Sequence, residues 1–424
     1  MQSKASPHVA ILGGGIIGAC SALALLKAGY RVTIVEPGKP GGDQAASFGN
    51  GAFISPASII PMSMPGLWKK VPEYLLSPES PLTIRWRFLP RLLPWLMRFM
   101  LAGWSVRRVE RTAGVLSTLL GDAPARHAAL AAECGHAEFI ERRGLLYAYP
   151  TRADFEADAL AWRLRRDNGV TWRELAGEEL RAFEPALSAR YGFAALVEAG
   201  GHCTDPGRYV AMLMDKAIER GATLMAAKAT GFKLAGNRLT AVTTDRGDVA
   251  CDRAVIAAGI HSRALAEQAG DVIPLESERG YHVEIVDPVT APRIPVMPCD
   301  GKMANTVIGG RLRASGQVEL ASVETSPNWA RADLLLRQLV ATYPGLESGN
   351  RPLATTRWQG NRPSTPDGLP VIGPASASAD IVHAFGHGHV GLASGPGTGS
   401  LVAALVSGQA PPVDPTPFRA TRFR

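Results

Sequence analysis

Cysteine is scarce in this sequence. The five present among 424 residues, Cys20, Cys134, Cys203, Cys251 and Cys299, include no C-x-x-C pair and no Cys/His spacing that suits zinc. They read as reduced thiols, with neither a disulfide scaffold nor a metal site expected. A secretory leader is not read either: MQSKASPHVAIL runs straight into a strand-like pattern, with no apolar core segment and cleavage site. A cytoplasmic location is the expectation. No window supplies the unbroken apolar stretch of about 20 residues that a spanning helix requires. The nearest, Leu82 to Trp104, is interrupted by four arginines, Pro90 and Pro94. There is no internal repeat and no long low-complexity tract.

What is present is an ordinary globular composition, 46% hydrophobic and 20% charged, in a chain long enough for two domains or one large domain with an insertion. The net charge of +7 comes mostly from dispersed arginines. Dispersion suits a solvated surface with one anion-binding cleft and argues against a nucleic-acid partner.

Residues His8 to Leu12 are apolar and stop at Gly13, as a strand buried on both faces of a parallel sheet should. A helical pattern from Ile16 to Ala28 and a second strand from Arg31 to Glu36 complete a βαβ opening. A Gly-, Ser- and Asn-rich loop (37–65) and an Arg- and Ala-rich helical stretch to about residue 135 follow, then strands at 144–149 and 193–198 with a helix around 152–168. From Pro206 the pattern reads helix, strand (223–227), meander, and the apolar run 254–257 ending at Gly259, which predicts another strand of the first sheet. Residues 275–350 read as antiparallel sheet with one helix (330–342), and a Gly-rich segment precedes a helix at Gly399–Ser407. The fold class expected is α/β: a Rossmann-type domain (1–54, 204–275 and 352–424) with an interleaved, mainly antiparallel α+β domain (55–203 and 276–351).

Gly13-Gly14-Gly15-Ile16-Ile17-Gly18 is a G-x-G-x-x-G between strand and helix. Gly13 permits the tight turn, Gly15 the approach of a pyrophosphate to free helix N–H groups around Ile16 and Ile17, and Gly18 close packing of helix on strand. Glu36 closes the second strand, where a carboxylate accepts hydrogen bonds from ribose hydroxyls. An acid there disfavours a ribose 2′-phosphate but does not separate NAD from FAD.

Three further segments do separate them. Ala46-Ser47-Phe48-Gly49-Asn50-Gly51-Ala52-Phe53-Ile54-Ser55-Pro56, the run Gly360-Asn361-Arg362-Pro363-Ser364-Thr365-Pro366-Asp367-Gly368-Leu369-Pro370-Val371-Ile372-Gly373, and Phe385-Gly386-His387-Gly388-His389-Val390-Gly391-Leu392 join the N-terminal motif in one order along the chain. Together they resemble the D-amino acid oxidase superfamily of FAD-dependent oxidoreductases, within it most nearly the bacterial D-amino acid dehydrogenases. The resemblance implies noncovalent FAD: sarcosine-oxidase relatives tether flavin through a Cys near the Thr-Pro-Asp segment, and the matching place here is Gly360. It implies hydride transfer from the α-carbon of a small amino acid, most of all a D-amino acid, to flavin N5, giving a 2-oxo acid and ammonia, with a quinone-type carrier as acceptor or, in an oxidase, dioxygen. Glycine, sarcosine, D-proline and hydroxyproline are alternative substrates, and a non-catalytic FAD subunit of a larger complex is the alternative outside catalysis.

The resemblance also implies the site. Arg362 pairs with the substrate carboxylate, for which its planar fork is suited, and Tyr281 lines the pocket roof. Ser47, Asn50, Gly51, Gly259, Gly386, His387, Gly388, His389, Gly391 and Leu392 are expected around the cofactor, with backbone N–H groups near Gly391 stabilising negative charge on the reduced flavin. His389 stands where relatives tend to have Gly or an apolar residue. Asn50-Gly51-Ala52 stands where they tend to have Asn-Ala-Gly, which predicts that the left-handed backbone moves by one position. Leu82 to Trp104, with Trp86, Trp95 and Trp104 among arginines, is either an interfacial membrane helix or a helix packed over the second domain, its apolar face broken by the prolines.

Overall fold

The computed structural model describes residues 6–69, 80, 82–347 and 352–424. Residues 70–79 and 81 of the expected helical stretch and 348–350 of the expected sheet region lie outside the described residues. The chain divides into two compact units, Met1–Phe48 with Gly207–Glu276 and Arg362–Arg424, and Gly49–Pro206 with Ser277–Asn361. Segments 49–54, 204–206 and 352–361 thus belong to the second unit, not to the Rossmann-type domain in which they were expected. Phe53–Ile54 pairs with the strand Gly201–Cys203, and Thr355–Ser364 extends the sheet beside Glu276–Ile285.

In the first unit a six-stranded sheet runs in the order Thr223–Met225, Arg31–Val35, His8–Leu12, Arg253–Ile256, Ile381–Phe385, Val371–Pro374. Every neighbouring pair is parallel except the last. The unbroken apolar run at the N-terminus therefore becomes an interior strand, and Val9 to Leu12 are fully buried. An antiparallel meander, Ala229–Ala235, Arg238–Thr244 and Val249–Ala250, fills the connection to Arg253.

The last helix starts at Gly391, not at Gly399. Gly395, Pro396, Gly397 and Gly399 all sit inside it, against their poor helix propensity. Packing explains the override: a Cβ on Gly399 would stand 2.7 Å from the Cys20 carbonyl oxygen, and one on Gly395 2.8 Å from Ile16. The glycines let this helix lie against Ile16–Lys27 at a distance any side chain would forbid. Residues 388–407, though not an unbroken apolar run, are long and apolar enough by length and composition to pass for a membrane span, but they are mostly buried inside the protein. It is a core helix.

The second unit is built on a mixed sheet: Thr355–Ser364, Glu276–Ile285, Arg311–Leu320, Ala304–Ile308, Val296–Pro298, Leu145–Tyr149, Phe193–Val197 and Arg173–Ala176, with Leu82–Ile84 joined to Arg311–Leu320. Most pairs are antiparallel; Val296–Pro298 with Leu145–Tyr149, and Leu82–Ile84 with its neighbour, are parallel. Helix Ala330–Thr342 packs Leu335 and Leu339 against Tyr281, Val283 and Leu312 of the sheet. Helix Leu89–Ala102 runs through both prolines. Pro90 occupies the first turn, where its N–H would be unpaired anyway, and Pro94 loses one hydrogen bond near the same end. Its inner face sets Leu92 and Trp95 on Ile84 and Leu320.

Candidate functional site

In the first unit, strand His8–Leu12 ends at Gly13, whose φ of +112° favours glycine. A Cβ there would also strike the Ala257 carbonyl at 2.4 Å, and one on Gly18 would lie 1.9 Å from the Gly13 oxygen. These two glycines hold the fold. Gly15 differs: its backbone is extended (φ −72°, ψ −175°), and a Cβ would meet only Ser47 Oγ, at 3.5 Å. The space over the helix N-terminus is open and no side chain caps it from Gly15, while the Ile16 N–H donates to Ser47 Oγ at 3.2 Å. The Glu36 carboxylate accepts from the Gly14 N–H (2.7 Å) and the Gly38 N–H (2.8 Å). It ties the glycine turn to the following loop, and about half of its acceptor capacity remains for a ribose. Gly259, φ +57°, turns the chain just beyond strand Arg253–Ile256.

The same unit carries the C-terminal glycine loop. Gly386 (φ +83°) and Gly388 (φ +52°) bend it around His387, which forms an antiparallel bridge with Ser364. The His387 ring is buried and hydrogen-bonded to Thr398 Oγ1 at 3.0 Å, and burial pulls its pKa down to about 3. His387 thus fastens the loop to the helix Gly391–Ser407 through its Nε2. Gly391 opens that helix, where a Cβ would press on His387, and Leu392 is buried behind it. Two positions beyond the Ser364–His387 bridge on either segment stand Arg362, half-buried, and His389, exposed. The protein around the His389 ring nevertheless depresses its pKa to about 4, burial first and the Arg362 charge second. With that pKa the ring is neutral at pH 7.

Other site residues lie in the second unit. Asn50 Oδ1 accepts from the Ala52 N–H at 2.8 Å, and Ala52, not Gly51, takes the left-handed conformation, φ +65°. The expected shift of the permissive position therefore does not occur. Gly51 is required for another reason, since a Cβ on it would meet Ala304 Cβ at 2.7 Å. Replacing Gly51 by Ala is expected to cost ~1–3 kcal/mol of stability by overpacking. Adding Ala304→Gly should recover more than about half of that loss, which denaturant unfolding of the two single variants and the double variant would check.

Tyr281 is fully buried in the core around Leu335 and Leu339. Its hydroxyl donates to Glu319 Oε2 and accepts from the Asn328 N–H at 2.9 Å, and burial followed by the Glu319 bond pushes its pKa up to about 12. The expectation that Tyr281 lines a pocket is corrected, because ring and hydroxyl are both used in holding the sheet.

Sequence reasoning missed the residues that fix these loops. Arg313, 2% exposed, donates to the Asn50 carbonyl at 2.9 Å while pairing with Glu284, and Thr306 Oγ1 donates to the Gly51 carbonyl at 2.9 Å. The Trp358 ring stacks on His282 and fills the space left by two glycines: a Cβ on Gly49 or Gly360 would fall 1.8 Å or 2.0 Å from it. A cysteine at 360 has no room. In the first unit Arg422 holds Asp367 Oδ2 at 2.7 Å and the Leu369 carbonyl at 2.6 Å, bracing the turn that follows Arg362. No local pattern marks any of these, since apart from Gly360, two residues from Trp358, each partner is tens to hundreds of positions away.

Compared with known proteins, residues 8–405 match the family model described as DAO, FAD dependent oxidoreductase. A D-amino-acid oxidase of Bradyrhizobium diazoefficiens is 51% identical over 98% of this chain and 99% of its own length. A D-amino acid dehydrogenase of Paramagnetospirillum magneticum is 33% identical over 95% of each. Among solved structures, glycine oxidase from Geobacillus kaustophilus shares the fold with a TM-score of 0.75 at 24% identity, over 98% of this chain and 99% of that one.

Proposed function

Because the chain belongs to the DAO family of FAD-dependent oxidoreductases, we propose that it oxidatively deaminates D-amino acids, with Arg362 holding the substrate carboxylate. Arg362, two positions from the Ser364–His387 bridge and so beside the glycine loop, in the unit that also carries the glycine cradle, is the observation that carries this reading. The residues fit FAD: the open space at Gly15 over the helix N-terminus and the spare acceptors of Glu36 suit a pyrophosphate and a ribose. Bound FAD supplies the two-electron acceptor that takes the α-hydrogen with its electron pair. The imino acid so formed takes up water and releases ammonia, leaving a 2-oxo acid.

The chain's own contribution is position and charge. Arg362 offers two parallel N–H donors to a carboxylate, which fixes the α-carbon. His389 adds a further donor without adding charge, since its ring is neutral at pH 7. Gly386 and Gly388, with positive φ, turn the loop to the mouth of the last helix, whose N-terminus at Gly391 favours negative charge developing there. His387 acts by holding this loop on Thr398. The D-configuration is supported by the names of the relatives at 51% and 33% identity. Those names divide over the second half-reaction, the oxidase at 51% favouring dioxygen and the dehydrogenase at 33% another carrier; we infer a quinone-type carrier, with dioxygen as the alternative.

Anaerobic addition of D-alanine, D-proline or D-phenylalanine to the purified yellow protein is expected to bleach the flavin, with the L-enantiomers inert. A flavin left oxidised by every D- and L-amino acid, glycine and sarcosine would point to the non-catalytic alternative. In air, reduction of a quinone analogue without peroxide is expected; stoichiometric peroxide would make dioxygen the acceptor.

A further inference from the structure

Helix Leu89–Ala102 has a second apolar face that the sheet does not cover. Leu93, Met97 and Leu101 follow at intervals of four, one above the other on the side away from Leu92 and Trp95, and each is half or more exposed. Trp104, the most exposed of the large apolar residues near the helix end, continues the row. The turn carrying Met62 comes up to the same end, for a Cβ on Gly103 would stand 2.4 Å from the Ser63 backbone, and Met62 and Trp68 are also exposed. Scattered exposed apolar residues need no explanation, but a row this ordered marks a contact surface.

Charge decides what covers it. Between Ser80 and Val109 the sequence holds six arginines and not one Asp or Glu. Arg85 is taken by Glu319, whereas Arg87, Arg91, Arg98, Arg107 and Arg108 are exposed around the apolar row. A second copy of this chain would bring arginine against arginine. An apolar stripe bordered by cations, with a tryptophan at its end, matches the boundary between anionic headgroups and acyl chains.

We propose that this face of the helix docks the protein on an anionic phospholipid surface, with Leu93, Met97, Leu101 and Trp104 entering the acyl boundary and the arginines meeting the headgroup phosphates. The docking goes beyond the catalytic reading and does not depend on it. A bilayer is also where an apolar quinone is dissolved, so docking would shorten the path to such an acceptor.

The test is co-sedimentation of the FAD-loaded protein with vesicles of phosphatidylcholine alone or with phosphatidylglycerol added. Binding to the anionic vesicles is expected, weakening as salt is raised. Met97→Glu with Leu101→Glu should lower that binding more than about tenfold, because two side chains that would leave water become charged. Flavin content and turnover with a soluble dye should be unchanged; if the glutamate pair disturbs folding, Met97→Ser with Leu101→Ser serves instead. Failure to sediment with either vesicle, equal binding by the variant, or a solution dimer that the variant dissociates would each overturn the proposal.

Discussion

A Gly15→Val protein is expected to fold and to be purified without flavin. The residue's backbone is extended and its Cβ direction is open, Ser47 Oγ at 3.5 Å being the nearest atom, so the valine strains nothing in the chain. The space it fills is that in which a pyrophosphate would lie on the helix N-terminus. Losing two charged hydrogen bonds of ~1.5–3 kcal/mol each would weaken FAD binding by about 100-fold or more. The flavin-to-protein absorbance ratio reads the loss. Unfolding should be compared with apoprotein of the parent, because a bound ligand itself raises stability. The same substitution at Gly18, 1.9 Å from the Gly13 oxygen, should instead prevent folding. Stoichiometric flavin in Gly15→Val would remove the N-terminal cradle from the site.

Arg362→Ala should leave flavin content unchanged and lower kcat/KM by about 10- to 1,000-fold, as charged hydrogen bonds to a carboxylate in a water-poor site are lost. Lys at 362 keeps the charge without the fork and should restore only part of the activity. His389→Ala removes a neutral donor beside the clamp, so KM should rise about tenfold with kcat nearly held. Steady-state kinetics on a D-amino acid, with flavin content measured on each sample, separates these outcomes. Parent-like efficiency in Arg362→Ala with FAD bound would place the carboxylate clamp elsewhere.

Much of the first unit was legible because its rules are local. A buried parallel strand needs a continuous apolar run, a pyrophosphate turn needs glycines at fixed offsets, and the acid must close the next strand; His8–Leu12, Gly13–Gly18 and Glu36 satisfy all three within 36 residues. Helix Ala330–Thr342 was legible for the same reason, its apolar residues recurring at helical spacing. What local rules could not supply is what a distant segment does to a residue. Gly391–Ser407 is helical where glycine and proline argue for a loop, because Ile16–Lys27 receives it at a distance only glycine allows. Ala52 is left-handed while Gly51 answers to Ala304, which leaves no room for a side chain there, and Arg313 and Thr306 hold the Asn50 and Gly51 carbonyls leading into it. Tyr281 and His387 carry polar groups that suggest chemistry, but Glu319 and Thr398 claim them once the chain is folded. The sequence by itself determined the dinucleotide turn, since backbone geometry there depends on adjacent residues, whereas Arg362 was singled out by the resemblance of its Gly-Asn-Arg-Pro segment to a family. Only the tertiary structure decided which polar side chains remain available, because a hydrogen bond in the interior is settled by the partner that packing brings within reach.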